Sequence, residues 1–194
     1  QGYSSPANIM GNTEVFELVS KGENRRAVPV TSSKNCYIES ISIYHNGGTG
    51  ELILAVYDDQ SGKPGSLSGL TESTIIHAEE GWQTIALKDP ISINQGQMVW
   101  LAWVFENNPG LRYYTGVPAR AESSGTWDEG LPENFGAVSF DNYIYSIYCN
   151  CAKTISHYLD MSTTSVVLDH FTGATDSIRI SSNTEWNISS DPDW

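Results

Sequence analysis

The sequence predicts an all-β chain, built as a two-sheet antiparallel β-sandwich of jelly-roll-like connectivity, on three observations. Apolar and polar residues alternate with a period of two in segment after segment. Clusters of Gly, Pro, Asn, Asp and Ser separate those segments, and no stretch of a dozen residues sustains a helical period. Each half-polar strand must bury one face against a second sheet, so about nine strands before residue 151 are enough for a sandwich.

The predicted strands are 13–19 (TEVFELV), 25–31 (RRAVPVT), 37–45 (YIESISIYH), 51–58 (ELILAVYD), 73–78 (STIIHA), 82–88 (WQTIALK), 97–105 (QMVWLAWVF), 111–115 (LRYYT) and 143–149 (YIYSIYC). The turns between them, NGGTG, DDQSGKPGS, NQGQ, ENNPG and DEGLPENFG, are rich in residues that accept positive φ or preset a bend. In 97–105, Val99, Leu101, Trp103 and Phe105 share one face while Trp100, Ala102 and Val104 share the other. Both faces are apolar, which marks a central strand covered on two sides. In 37–45, Tyr37, Ile41 and Ile43 are expected on one face. Ser40, Ser42 and Tyr44 line the other, which is expected to look onto a groove.

After Cys151 the pattern changes. Residues 152–164 read as a linker between a first module, 1–151, and a last segment, 165–194, in which SVVLDH, DSIRISS and TEWNISS are three short alternating stretches. Three strands around Trp186 bury too little to stand alone, so the segment reads as the opening of a second domain or as an extension of the first.

The 194 residues carry 23 acids and 10 bases, a net charge of -13, which repels phosphate backbones and excludes nucleic acid as an expected partner. No apolar run approaches the roughly 20 residues of a spanning helix, so no direct membrane insertion is expected, and residues 1–20 show no signal-peptide pattern. A charged fraction of 17% with abundant Gly, Ser, Thr, Asn, Tyr and Trp suits a secreted or cell-surface module. Cys36, Cys149 and Cys151 are too few for a disulfide framework and lack metal-ligand spacing. Cys149 and Cys151 fall on one strand face, so either one reaches Cys36 and leaves the other a thiol, or all three are buried thiols.

Residues 96–120, GQMVWLAWVFENNPGLRYYTGVPAR, run from an apolar strand into a loop crowded with aromatic, amide and guanidinium groups. Flat rings beside planar hydrogen-bonding groups suit sugars, whose C–H faces stack on aromatics while their hydroxyls pair with amides and charges. The candidate ligand-binding residues are Trp127, Tyr114, Arg112, Trp100, Arg120 and Asn107. Trp127 lies in a loop, SSGTWDEGLPENFG, where a large ring either binds or packs back as a lid over Leu131 and Phe135. Tyr113 and Tyr114 point oppositely on their strand, and Arg112 shares a face with Tyr114. The alternative role for Arg112 and Arg120 is pairing with the many acids. Trp82 and Trp103 sit in strong strand patterns and are expected in the core.

No catalytic residue is expected. His45, His77, His157 and His170 have no zinc spacing, and no G-x-S-x-G elbow occurs. Asp128, Glu129 and Glu133 read as a solvated acidic loop rather than a glycosidase pair. Asp58 and Asp59 offer adjacent oxygens, weak candidates for a structural calcium, without a regular ligand series; no cofactor is otherwise expected.

SIRISSNTEWNISSDPDW, within Ser162–Trp194, resembles the first half of a BACON domain, the immunoglobulin-like β-sandwich repeated in Bacteroidetes surface and secreted proteins. The resemblance implies a modular extracellular protein that acts on or attaches to polysaccharide. SISIYHNGGTGELILAVYDDQSGKPG, GWQTIAL, GQMVWLAWVFENNPGLRYYTG and SGTWDEGLPENFG, within residues 10–150, resemble a β-sandwich module of secreted multi-domain bacterial proteins. The expected function is a non-catalytic carbohydrate-binding module, monomeric within a larger chain, that attaches it to a polysaccharide. The alternatives are a structural or adhesive spacer, or a small jelly-roll lyase or hydrolase, for which Tyr114 and Arg112 are the only recruits.

Overall fold

The structure, a computed structural model, describes residues 8–152 together with the short strands at 159–161 and 180–182. The strands of the first part are β1 (Asn8–Gly11), β2 (Leu18–Ser20), β3 (Arg26–Thr31), β4 (Cys36–His45), β5 (Glu51–Asp59), β6 (Pro64–Leu70), β7 (Thr74–Ile75), β8 (Gly81–Ile93), β9 (Met98–Phe105), β10 (Leu111–Glu122), β11 (Ser139–Tyr145) and β12 (Ile147–Ala152). A 3-10 turn covers Trp127–Glu129. Every strand pairing among them is antiparallel, and the twelve strands form one continuous sheet.

That sheet folds back on itself into a sandwich. Ile41 and Ile43 of β4, Ile85 and Leu87 of β8 and Ile147 and Cys149 of β12 share one buried core with Val28 of β3, Leu54 of β5 and Leu101 and Trp103 of β9. Strand β9 is central, flanked by β3 and β5. Its second apolar face, Trp100, Ala102 and Val104, enters a separate core with Tyr57, Leu131 and Phe135, because the segment 123–138 folds over that side of the sheet. Both faces of β9 are covered, as the pattern predicts, the second by the 123–138 segment.

Several boundaries differ from the pattern reading for local reasons. Of 13–19 only Leu18 and Val19 are strand, at the start of β2, and Phe16 N–H donates to the Ser146 hydroxyl rather than to a ladder. Of 73–78 only Thr74–Ile75 is strand, since Ile76 N–H turns to Gly50 O and His77 N–H to Gln83 Oε1. Strand β6 (PGSLSGL) has loop-like composition and was not predicted; its Gly69 lies where a Cβ would stand 2.3 Å from Ile91 Cδ1, so close approach by β8 requires glycine. The pairing of β4 with β12 shifts register, Asn150 facing Ser40 and Cys151 facing Ile38, so that β4 carries one extra residue, Glu39, which places Ile38 in the core and leaves Tyr37 half-exposed. Tyr37 therefore does not share the buried face of Ile41 and Ile43, a correction that a bulge imposes because one extra residue inverts the alternation.

All three cysteines are buried thiols, the second of the two alternatives. Cys151 hydrogen-bonds with Cys149 and Cys36, and the Cys149 bond together with burial pushes its thiol far up from the usual range.

The chain divides into two compact units, 1–154 and 155–194. In the second, β13 (Leu159–Met161) pairs antiparallel with β14 (Ile180–Ser182). Strand β13 lies within 152–164, where a linker was predicted, and β14 completes the end of DSIRISS. SVVLDH, TEWNISS and Trp186 lie outside the described residues, as do His157 and His170.

Candidate functional site

The six candidate residues do not converge. Trp100 is 2% exposed and its indole N–H donates to Asp59 Oδ1 at 2.8 Å, so this candidate ligand residue is closed off by the 123–138 segment. Arg120 is buried and held by Glu122 Oε2 and Asp141 Oδ2, each at 2.9 Å. Trp127 is half-buried and packs on the second core that contains Leu131 and Phe135, the lid geometry. Asn107 is exposed at a turn, next to Asn108, which accepts from Gly110 N–H and donates to Gly22 O. Tyr114, 51% exposed, stacks on Phe16 with centroids 6.4 Å apart, while Tyr113 packs toward Tyr143 and Tyr145.

Asp58 and Asp59 are used as acceptors: Asp58 Oδ1 from Ser66 N–H at 2.5 Å, Asp59 Oδ2 from Gly62 N–H at 3.1 Å. No group of three His, Cys, Asp or Glu side chains stands ready for a metal among the described residues. Glu129 caps the 3-10 turn through Thr126 N–H and Oγ1, and those bonds hold its carboxyl below the usual carboxylate range.

A different surface gathers the sugar-type chemistry: the outer face of β8, β4 and β12. Gln83, Ile85 and Leu87 of β8 point inward, which turns Trp82, Thr84 and Ala86 outward. Trp82 is directly opposite Tyr44 of β4, and Tyr148 of β12 is opposite Ser42. The Trp82 and Tyr148 rings meet with centroids 4.9 Å apart, and Tyr44 contacts Trp82 edge-on at 5.5 Å. All three rings are half-exposed. Trp82, predicted in the core, is therefore a correction: the phase of the strand is set by Ile85 and Leu87, and Gln83 is buried through its own hydrogen bonds to His77 N–H, Ile75 O and His45. That phase was legible in WQTIALK; what hid it was the polar Gln83 on the inner side.

Beside the rings runs a polar row. Ser42 Oγ and Thr84 Oγ1 lie 2.7 Å apart, and Asn150 Nδ2 donates to Ser40 Oγ at 3.0 Å and to Ser42 Oγ at 3.3 Å. At the other end Glu80 Oε1 accepts from Tyr44 Oη at 2.7 Å and from Arg112 Nη2 at 3.1 Å. The bond to Tyr44 and the Arg112 guanidinium hold the exposed Glu80 carboxyl below its usual range, and the same bond raises the Tyr44 phenol. Of the six predicted residues, Arg112 alone belongs to this face, through Glu80. The arrangement offers half-exposed aromatic rings, the accessible polar groups of Ser40, Thr84 and Asn150, and one fixed carboxylate, with the buried Ser42 tying Thr84 to Asn150 beneath.

No family model matches the sequence, and no curated protein is similar to it.

Proposed function

We propose that residues 8–152 form a non-catalytic carbohydrate-binding module of a secreted or surface multi-domain protein, and that its ligand lies on the Trp82, Tyr44 and Tyr148 face. The observation that carries this reading is three half-exposed aromatic rings on one sheet face, Trp82 in contact with both Tyr44 and Tyr148, bordered by Ser40, Thr84 and Asn150. Exposed rings beside planar polar groups match the apolar face and hydroxyl edge of a pyranose. The net charge of -13 favours neutral or cationic glycans over uronate-rich or sulfated ones. The test is affinity electrophoresis of the chain and of Trp82→Ala against soluble neutral glucans, chitosan and alginate. Retardation by a neutral or amino glycan, lost in Trp82→Ala, is expected. Absence of retardation by every glycan would sink the reading.

The spacer alternative gains from the burial of Trp100 and the lid packing of Trp127, which remove two predicted ligand residues. The same electrophoresis decides between them. The lyase alternative, with Tyr114 and Arg112 as recruits, is disfavoured, because Tyr114 stacks on Phe16 while Arg112 is paired with Glu80. For residues 155–194 we propose a BACON-like start of a second β-domain, which the antiparallel pair β13–β14 supports only as far as its β character.

A further inference from the structure

Residues 12–17 connect β1 to β2 without joining the sheet, and they close one side of a groove of about 450 Å³. Its lining is Glu14, Val15, Phe16 and Glu17 from that segment, Tyr114 from β10 and Ile144 from β11. Tyr114 and Ile144 stand opposite each other in the ladder, and they face outward because their neighbours Tyr113 and Tyr145 pack into the main core. The segment is tied down at two points. Phe16 N–H donates to Ser146 Oγ at 3.0 Å, and Arg112 Nη1 donates to Glu17 O at 3.4 Å. The Phe16 and Tyr114 rings are close to parallel, with 28° between their planes. Tyr114 and Val15 are exposed, so the groove presents a ring and an aliphatic wall to water. Both carboxylates are exposed, and neither has an ion-pair or hydrogen-bond partner among the described residues. The charge of Arg112, which reaches this segment, is already matched by Glu80 at 3.1 Å.

We propose that this groove binds a quaternary ammonium group of the choline type. Aromatic faces attract a cation through the ring quadrupole, and Glu14 and Glu17 supply two further negative charges at the same opening. Methyl groups on the cation gain from the apolar walls of Val15 and Ile144 and ask for no hydrogen-bond acceptor. A primary ammonium has three N–H donors to satisfy, and on an apolar wall some of them would lose their water without replacement. A neutral apolar ligand would desolvate the two carboxylates and return nothing for them. An anion is repelled by the same pair and by the chain's net charge of -13. None of the six lining residues belongs to the Trp82 face, so failure at one site leaves the other standing.

The test is titration of the full chain, followed by NMR, with choline, with ethanolamine, and with the neutral isostere of choline that carries tert-butyl in place of trimethylammonium. Saturable binding of choline is expected, at about tenfold or more higher affinity than either of the other two. Tyr114→Ala should weaken choline binding by about 3- to 10-fold, whereas Tyr114→Phe, which keeps the ring face and loses only the hydroxyl, should retain it. The pair Glu14→Gln with Glu17→Gln should weaken binding and abolish its dependence on salt. All three positions are exposed, so these variants are expected to melt with the parent chain. Co-sedimentation with phosphatidylcholine vesicles identifies a lipid headgroup as the source of the cation, and choline binding without it identifies a free ligand. No binding of choline, or an affinity for ethanolamine or the neutral isostere equal to that for choline, would overturn the proposal.

Discussion

Trp82 and Tyr148 stand on strands that do not pair with each other, yet their ring centroids are 4.9 Å apart. The strand between them, β4, sets Tyr148 opposite Ser42 and Trp82 opposite Tyr44, so the two rings meet on a diagonal across it. The platform is thus a product of three strands.

The tryptophans should separate by their response to truncation. Trp103, 1% exposed in the main core, is expected to cost about 3 to 5 kcal/mol as Trp103→Ala. Trp127→Ala should cost less, about 1 to 2 kcal/mol, because its ring is half in solvent and covers the second core from outside. Trp82→Ala should leave Tm near that of the parent chain while reducing glycan affinity several-fold, since stacking contributes about 0.5 to 1.5 kcal/mol beyond area. Urea unfolding of the three variants checks the order. A Trp127→Ala chain as unstable as Trp103→Ala would mean that the lid is a full member of the core.

Asp59→Asn should destabilise the 58–66 turn and the second core together. Asp59 accepts from the buried Trp100 indole through Oδ1 and from Gly62 N–H through Oδ2, so both oxygens are used. An amide keeps one acceptor and turns the other into a donor facing a donor. We expect a loss of about 1 to 3 kcal/mol, read by chemical denaturation with Trp fluorescence. No change would show that the indole bond contributes nothing net.

Stability should fall as the pH drops below 6.5 because of His45. The imidazole is fully buried, and its Nδ1 accepts from Gly47 N–H at 3.1 Å, which leaves Nε2–H to donate to Gln83 Oε1 at 2.8 Å. Burial lowers its pKa, with the bond to Gln83 opposing and His77 adding to the shift. A folded-state value below the unfolded 6.5 means that the unfolded chain binds the proton first. The contribution of His45 is complete above pH 6.5 and is lost as pH falls through the folded value. His45→Gln should flatten the Tm profile between pH 7 and 5, about the range in which an ordinary His titrates. An unchanged slope in that variant would assign the pH dependence elsewhere.

The sequence by itself determined the all-β class and the central position of β9, because period-two patterning and turn residues act over a few neighbours and do not depend on the rest of the chain. It also determined which face of 97–105 holds Trp103 and which holds Trp100. Only the tertiary structure decided what covers each face: the 123–138 segment, separated from β9 by some twenty residues or more, closes over Trp100 and removes it from solvent. Tertiary contacts also decided that the polar Gln83 sits on the inner side of β8, through bonds to Ile75, His77 and His45 that the alternation does not announce. The bulge after Ile38 is the same kind of event, an extra residue absorbed where β4 meets β12, and it moves Tyr37 off the inner face. Alternation states which residues share a side; which side meets water is settled by what the rest of the chain lays against it.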